Sequence, residues 1–280
     1  MITTWWILQG GALAIGLAVG SFWNVAIARL PEGRSLWTPS ACEACGHRVR
    51  PRDNVPVLSW LWLRGRCRDC GTPFSAVHPL GELLGGMLGL LVFRRFVPDP
   101  DAMHAAEIVT AAFAFALVAD LVIASYVDIR HRIIPDETSS YAIPVAVAAA
   151  AILTAIGAPD PLVVSWKLSV LGAAAGGGFL GLVAWIANWL AGQEALGWGD
   201  VKLMGLLGAA FGPLPGAFAV LLLASLLGAA VGLVVTVVAR RRVHLPFGPA
   251  LALSGIVYVF WGLELASILV PGMSRGFTLP

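Results

Sequence analysis

Between Lys202 and Arg240 the chain carries no charged residue, and Asp200 stands directly before this run. A membrane-spanning helix needs about 20 mostly apolar residues. The run satisfies that requirement and is too long for one element of a soluble core, so its solvent is a bilayer. Composition agrees: 12% of residues are charged, against about 25% in a soluble domain. The net charge of +2 is uninformative as a total; its distribution carries the information.

Apolar runs predict an all-α polytopic membrane protein with about eight transmembrane helices, near 4–28, 79–97, 105–127, 139–157, 163–190, 201–212, 214–238 and 249–270. The sixth is short and runs into "FGPLPG", so it is tilted or does not cross fully. No Lys or Arg precedes Arg29, and the first run exceeds the roughly 7–15 apolar residues of a signal-peptide core. It reads as a retained helix. Lys and Arg favour cytoplasmic loops. With eight spans, fourteen of the eighteen fall on one side. These are Arg29, Arg34, Arg48, Arg50, Arg52, Arg64, Arg66, Arg68, Arg130, Arg132, Lys202, Arg240, Arg241 and Arg242. Arg94, Arg95, Lys167 and Arg275 fall on the other, with Arg94 and Arg95 snorkelling from a helix end. Segments 29–78, 128–138, 191–200 and 240–248 are therefore expected in the cytoplasm, with both termini outside. Asp128, Asp136 and Asp200 come to one face. The expected domains are 1–28, a first helix; 29–78, a cytoplasmic loop; and 79–280, a seven-helix membrane domain.

All four cysteines lie in that loop, as "CEAC" (42–45) and "CRDC" (67–70) with 21 residues between them. Gly46 and Gly71 follow the two pairs. Two such turns aim Cys42, Cys45, Cys67 and Cys70 at one point and suit a structural, tetrahedral zinc. Two disulfides or unpaired thiols are the alternatives; a reducing cytoplasm disfavours the first. Four thiolates leave no open position for catalysis by the metal.

Acids at a membrane edge are functional candidates. Two carboxylates held close cannot both ionise easily, and the ionised one can activate water while its protonated partner polarises a carbonyl. Asp128, ending the third span, and Asp200 of "GWGD" are the candidates. If Asp200 starts a helix, the macrodipole favours its anion, which makes it the base and Asp128 the acid. Asp120 reads as a buried, hydrogen-bonded group, Asp136 as a helix N-cap, and Glu82 as part of a helix start. His47, His78, His104, His131 and His244 are scattered and read as surface or interfacial residues. No H-E-x-x-H is present, and no G-x-S has a following glycine and a histidine partner.

The ordered motifs carry a resemblance. They are "GSFWNVAIARLP" (20–31), the paired C-x-x-C, "NVPVLSWLWLRGRC" (54–67), "HPLGELLGG" (78–86), "VDIRHRIIPD" (127–136), "GWGDVKL" (197–203) and "LPFGPALAL" (245–253). In combination the chain resembles the prepilin peptidases, bacterial leader peptidase/N-methyltransferases. The resemblance implies eight spans in the inner membrane and a cytoplasm-facing G-x-G-D aspartyl protease with Asp128 and Asp200 catalytic. It also implies cleavage of the basic leader of type IV prepilins or pseudopilins after a glycine. Methylation of the new N-terminus from S-adenosylmethionine, linked to loop 29–78, is implied as well; no residue is assigned to the methyl donor. Departures are His78, where a tyrosine is usual, and a long Asp128–Asp200 interval that suggests an insertion around 157–165. Lipid and pilus or type II secretion substrates are the expected partners; nucleic acid is not. The competing readings are a G-x-G-D protease for another single-pass substrate, without methylation; a proton-coupled transporter; and a non-catalytic assembly scaffold.

Overall fold

A computed structural model describes residues 2–99, 103–158, 160, 162–193, 196–239 and 245–269. Arg240, Arg241, Arg242, His244 and Arg275, which entered the reading above, lie outside the described residues, as do residues 159 and 161 of the expected insertion. Among the described residues the regular structure is helical, apart from isolated bridges pairing Ala41 with Arg48 and Arg66 with Pro73. The helices are α1 (Ile2–Arg29), α2 (Leu58–Trp62), α3 (Val77–Phe96), α4 (Ala105–His131), α5 (Ala142–Ala155), α6 (Trp166–Ala191), α7 (Trp198–Phe211), α8 (Phe218–Ala239) and α9 (Gly248–Leu269). They form two compact units, Met1–His104 and Ala105–Pro280.

In the first unit α1 packs along α3. Both helices carry glycines four apart, Gly16 and Gly20 on α1 and Gly85 and Gly89 on α3. Small residues at that spacing let backbones approach closely in lipid. A Cβ at Gly85 would lie 2.7 Å from the Gly20 Cα, and one at Gly89 would lie 3.0 Å from the Gly16 Cα. Arg94, expected to snorkel, is exposed and donates through Nε to Oε1 of the buried Gln9 on α1, at 2.8 Å.

The second unit repeats the device between α6 and α7. A Cβ on Gly172 or on Gly208 would overlap the carbonyl of the other. Buried Ser169 reaches across the seam and donates to the Ala209 carbonyl at 2.7 Å. The α4 and α9 spans are the most enclosed, with 39% and 44% of their apolar windows buried. They therefore sit at the centre of this unit.

Among the described residues six segments are long and apolar enough to cross a membrane: Trp5–Glu32, Ala105–His131, Asp136–Ala155, Trp166–Ala191, Trp198–Val238 and Gly248–Leu269. Every expected span falls on a helix, but the count differs for two reasons. Helix α3 holds Glu82, Arg94 and Arg95 and is not among the six. The sixth and seventh spans run together within Trp198–Val238, broken where Leu214 is extended (φ −136°, ψ 139°). With 14 residues, α7 is about 21 Å long at 1.5 Å per residue, short of the roughly 30 Å hydrocarbon core.

Candidate active site and candidate metal centre

Asp128 lies in the last turn of α4, which continues one turn beyond the expected end. The Arg132 amide closes that turn on the Asp128 carbonyl at 2.9 Å, and Arg132 takes a left-handed conformation (φ 56°). Pro135 follows, and a proline disfavours helix in the residue before it. The chain thus turns back through Ile133 and Ile134. Asp200 lies in the first turn of α7, behind the cap residue Gly197. The loop leading to it is clipped by Asn188 of α6, whose amide receives the Leu196 N–H at 3.0 Å and donates to the Leu196 carbonyl at 3.2 Å.

Both carboxylates are buried, Asp128 at 6% exposure and Asp200 at 8%. Their neighbourhoods meet at Ile134, which stands against Gly199, the residue before Asp200, and against Gly248, which abuts the Asp128 carboxylate. The start of α9 completes the surroundings. Gly248 abuts the Asp128 carboxylate: a Cβ there would overlap its Oδ2 and lie 3.1 Å from its Cγ. Ile134 fills the space beside two glycines: a Cβ at Gly199 would lie 3.0 Å from the Ile134 Cβ, and one at Gly248 would lie 2.9 Å from its Cδ1. Three helix ends and one reversing segment therefore converge on two acids that lie far apart in sequence.

The other acids take different places. Asp136 does not cap α5, whose cap residue is Tyr141. It accepts hydrogen bonds from Lys202 Nζ at 2.6 Å and Ser140 Oγ at 3.1 Å, tying the segment after α4 to the start of α7. Asp120 was expected to be hydrogen-bonded, yet its buried Oδ2 has no partner among the described residues. Glu82, in the second turn of α3, accepts the Val57 N–H at 2.6 Å. Val57 is a β-branched residue at φ 62°, a costly conformation. Sequence reasoning missed Gly248 and Ile134; the glycine in "LPFGP" was the available signal, and Ile134 had none.

The four thiols also converge. Two similar turns hold them: the Cys42 N–H donates to the His47 carbonyl at 2.9 Å, and the Cys67 N–H to the Thr72 carbonyl at 2.8 Å. Gly46 and Gly71 have φ of 72° and 73°, the left-handed conformation that such turns require and glycine tolerates. The four Sγ atoms lie within 4.8 Å of one another. A tetrahedral zinc with Zn–S bonds of about 2.3 Å places its sulfurs about 3.8 Å apart; the Cys42 and Cys70 sulfurs are 3.8 Å apart. The donor set therefore fits that ion. The Thr72 hydroxyl and backbone draw the Cys70 thiol down to about 6. A backbone hydrogen bond at His47 lowers Cys45, but burial and the three neighbouring thiols outweigh it and push it up to about 12. One thiol of the set is thus ready to ionise near neutrality, and binding a metal would displace the proton that Cys45 holds.

The comparisons divide the chain in a similar way. Residues 14–96 match the Bacterial Peptidase A24 N-terminal domain, and residues 115–233 match the Type IV leader peptidase family. Among similar proteins, the Prepilin leader peptidase/N-methyltransferase of Burkholderia pseudomallei (strain 1026b) is 38% identical over 90% of this chain and 84% of its own length. The protein of the same description from Aeromonas hydrophila is 34% identical over 92% of each chain. That from Xanthomonas campestris pv. campestris is 34% identical over 91% of each. No solved structure matches the chain. With such identity along nearly its whole length, the chain belongs to the type IV leader peptidase family.

Proposed function

We propose that the chain is a multi-pass inner-membrane prepilin peptidase that removes the basic leader of type IV prepilins or pseudopilins after a glycine, at the cytoplasmic edge of the membrane. The observation that carries this is the meeting of Asp128 and Asp200, both buried, at three helix ends. Such a pair works with one proton between its two carboxyls. The ionised one takes a proton from water as the water oxygen bonds to the scissile carbonyl carbon. The protonated one donates to the carbonyl oxygen. Collapse of the tetrahedral intermediate breaks the C–N bond, and the proton taken from water passes to the leaving amine. The products are a leader carboxylate and a new N-terminal amine. The start of α7 offers positive partial charge to Asp200, and the start of α9, whose Gly248 abuts the Asp128 carboxylate, offers it to Asp128. Proton occupancy is therefore a property of the pair, and a helix terminus alone does not assign it.

A basic leader held at the cytoplasmic surface and an apolar stem in the bilayer would present the scissile bond at this depth. The peptidase machinery falls within 79–280. We assign N-methylation of the new amine to the region of loop 29–78, held by a structural zinc on Cys42, Cys45, Cys67 and Cys70. S-adenosylmethionine would supply an electrophilic methyl group. The test mixes the purified full chain with a pilin precursor, with and without that donor, and reads the product by mass spectrometry. Leader loss is expected in both samples and a methylated N-terminus with the donor only. An intact precursor would refute the peptidase; a cleaved, unmethylated product under saturating donor would leave a peptidase alone.

A further inference from the structure

The first unit contains a cavity of about 1060 Å³ that the peptidase chemistry does not use. Small-molecule sites occupy roughly 300–1,000 Å³, so this one has room for a cofactor-sized molecule. Its walls are the last turns of α1, the first turns of α3 and the cysteine loop. Its lining places an acid, a base and an aromatic ring around one space.

The acid and the base have capacity to spare, and the ring is held in place. Glu82 lines the cavity and uses Oε2 for the Val57 N–H, while Oε1 has no partner among the described residues. Asp53, also on the wall, is saturated by the Arg68 guanidinium, which grips both of its oxygens and holds its carboxyl below the usual range. Arg29 donates through Nη1 to the carbonyls of Ser35, Leu36 and Thr38 and pairs with no carboxylate among the described residues. The Trp60 ring is fixed edge and face. Its Nε1 donates to the Phe74 carbonyl at 3.3 Å, and a Cβ on Gly65 would lie 2.8 Å from its Cζ2.

We infer that this cavity binds the methyl donor, an adenosyl sulfonium, with Glu82 facing the positive sulfur, Arg29 holding the donor's carboxylate and Trp60 stacking on its adenine. The inference rests on the methylation reading above and adds the site. A cationic sulfur beside an incompletely used carboxylate gains a charge–charge attraction that the neutral thioether left after methyl loss does not. The two ligands differ in little else, so their ratio of affinities reports on Glu82 itself.

Equilibrium dialysis of the full chain in detergent measures this with S-adenosylmethionine and S-adenosylhomocysteine, on wild type and Glu82→Gln, with zinc content as the control for an intact loop. The variant should bind the sulfonium at least tenfold more weakly and the thioether within threefold of wild type. Equal loss of both ligands, or of neither, would overturn the assignment of Glu82. A second measurement needs no variant. Methyl-labelled donor is photo-cross-linked to the wild-type chain and mapped by peptide digestion. Label within residues 21–82 supports the cavity, and label elsewhere overturns it even if the enzyme methylates. If wild type neither binds the donor nor methylates cleaved product, the methylation reading itself fails.

Discussion

Gly248 has no room for a side chain because the Asp128 carboxylate lies where its Cβ would be. The glycine therefore makes way for the acid, and a side chain there would push the carboxylate aside. Gly248→Ala is expected to cut leader cleavage by about 10²-fold, the loss that an ångström-scale misplacement can produce. A precursor-cleavage assay on the folded variant reads it. Asp128→Asn and Asp200→Asn should each lower cleavage by at least about 10²–10⁴-fold, the usual contribution of acid–base groups. Because the pair acts as a unit, the double variant should be no worse than either single one. Asp136→Asn and Asp120→Asn should retain measurable cleavage, and loss in Asp136→Asn alone would move the catalytic role eight residues along the chain. At this scale the sequence was legible where chemistry marks a residue type. Asp128 and Asp200 stood out because an acid at a membrane edge calls for a use. Gly248 did not, because no local pattern says which carboxylate a helix start will meet. The free oxygen of Asp120 was illegible for the same reason: hydrogen bonding depends on neighbours from other helices.

Element boundaries followed the apolar runs closely, since a bilayer imposes both length and polarity on a helix. The break after α7 was foreshadowed by "FGPLPG", where proline removes a donor and glycine relaxes the backbone. The extension of α4 through Asp128 was not, because "VDIRHR" is polar and reads as loop; in the fold that last turn lies against Gly248 at the start of α9. Helix pairing was also hidden: glycines four apart mark a face but do not name its partner. At the α6–α7 seam, Gly172→Ala should lower stability by about 1–3 kcal/mol, as overpacking does. A drop in the thermal unfolding midpoint of the purified variant in detergent would register it. Across the ion pair that joins the segment after α4 to α7, Lys202→Met should reduce cleavage only a few-fold. Both partners are largely solvent-accessible (43% and 47%), and such pairs contribute about 0–1 kcal/mol.

For the molecule as a whole, the thiols and the aspartates lie in separate compact units. Elemental analysis should find one zinc per chain, and Cys67→Ser should lose it. That substitution should reduce methylation at least tenfold and leader cleavage much less, both read from the same mass spectra. An absence of zinc, with four titratable thiols in the native protein, would refute the metal centre. The sequence made this division partly visible, since the cysteines cluster between two apolar runs. The expected loop ends at residue 78, in the first turn of α3, and α3 shares the compact unit Met1–His104 with α1; the glycines that join the two helices carry no signal of their partner. Those seams have a consequence for how substitutions would be tolerated. In a library of every single replacement, scored for activity alone, Gly85, Gly172, Gly208 and Gly248 would rank beside Asp128 and Asp200. Such a ranking would merge the proposed acid–base pair with residues whose contribution is to take up no space. Scoring the same library for protein abundance would separate them: the aspartate variants would remain abundant, and the seam variants at Gly85, Gly172 and Gly208 would be depleted. Gly248 variants would sort with the aspartates, since that glycine makes room for a carboxylate rather than for a neighbouring helix.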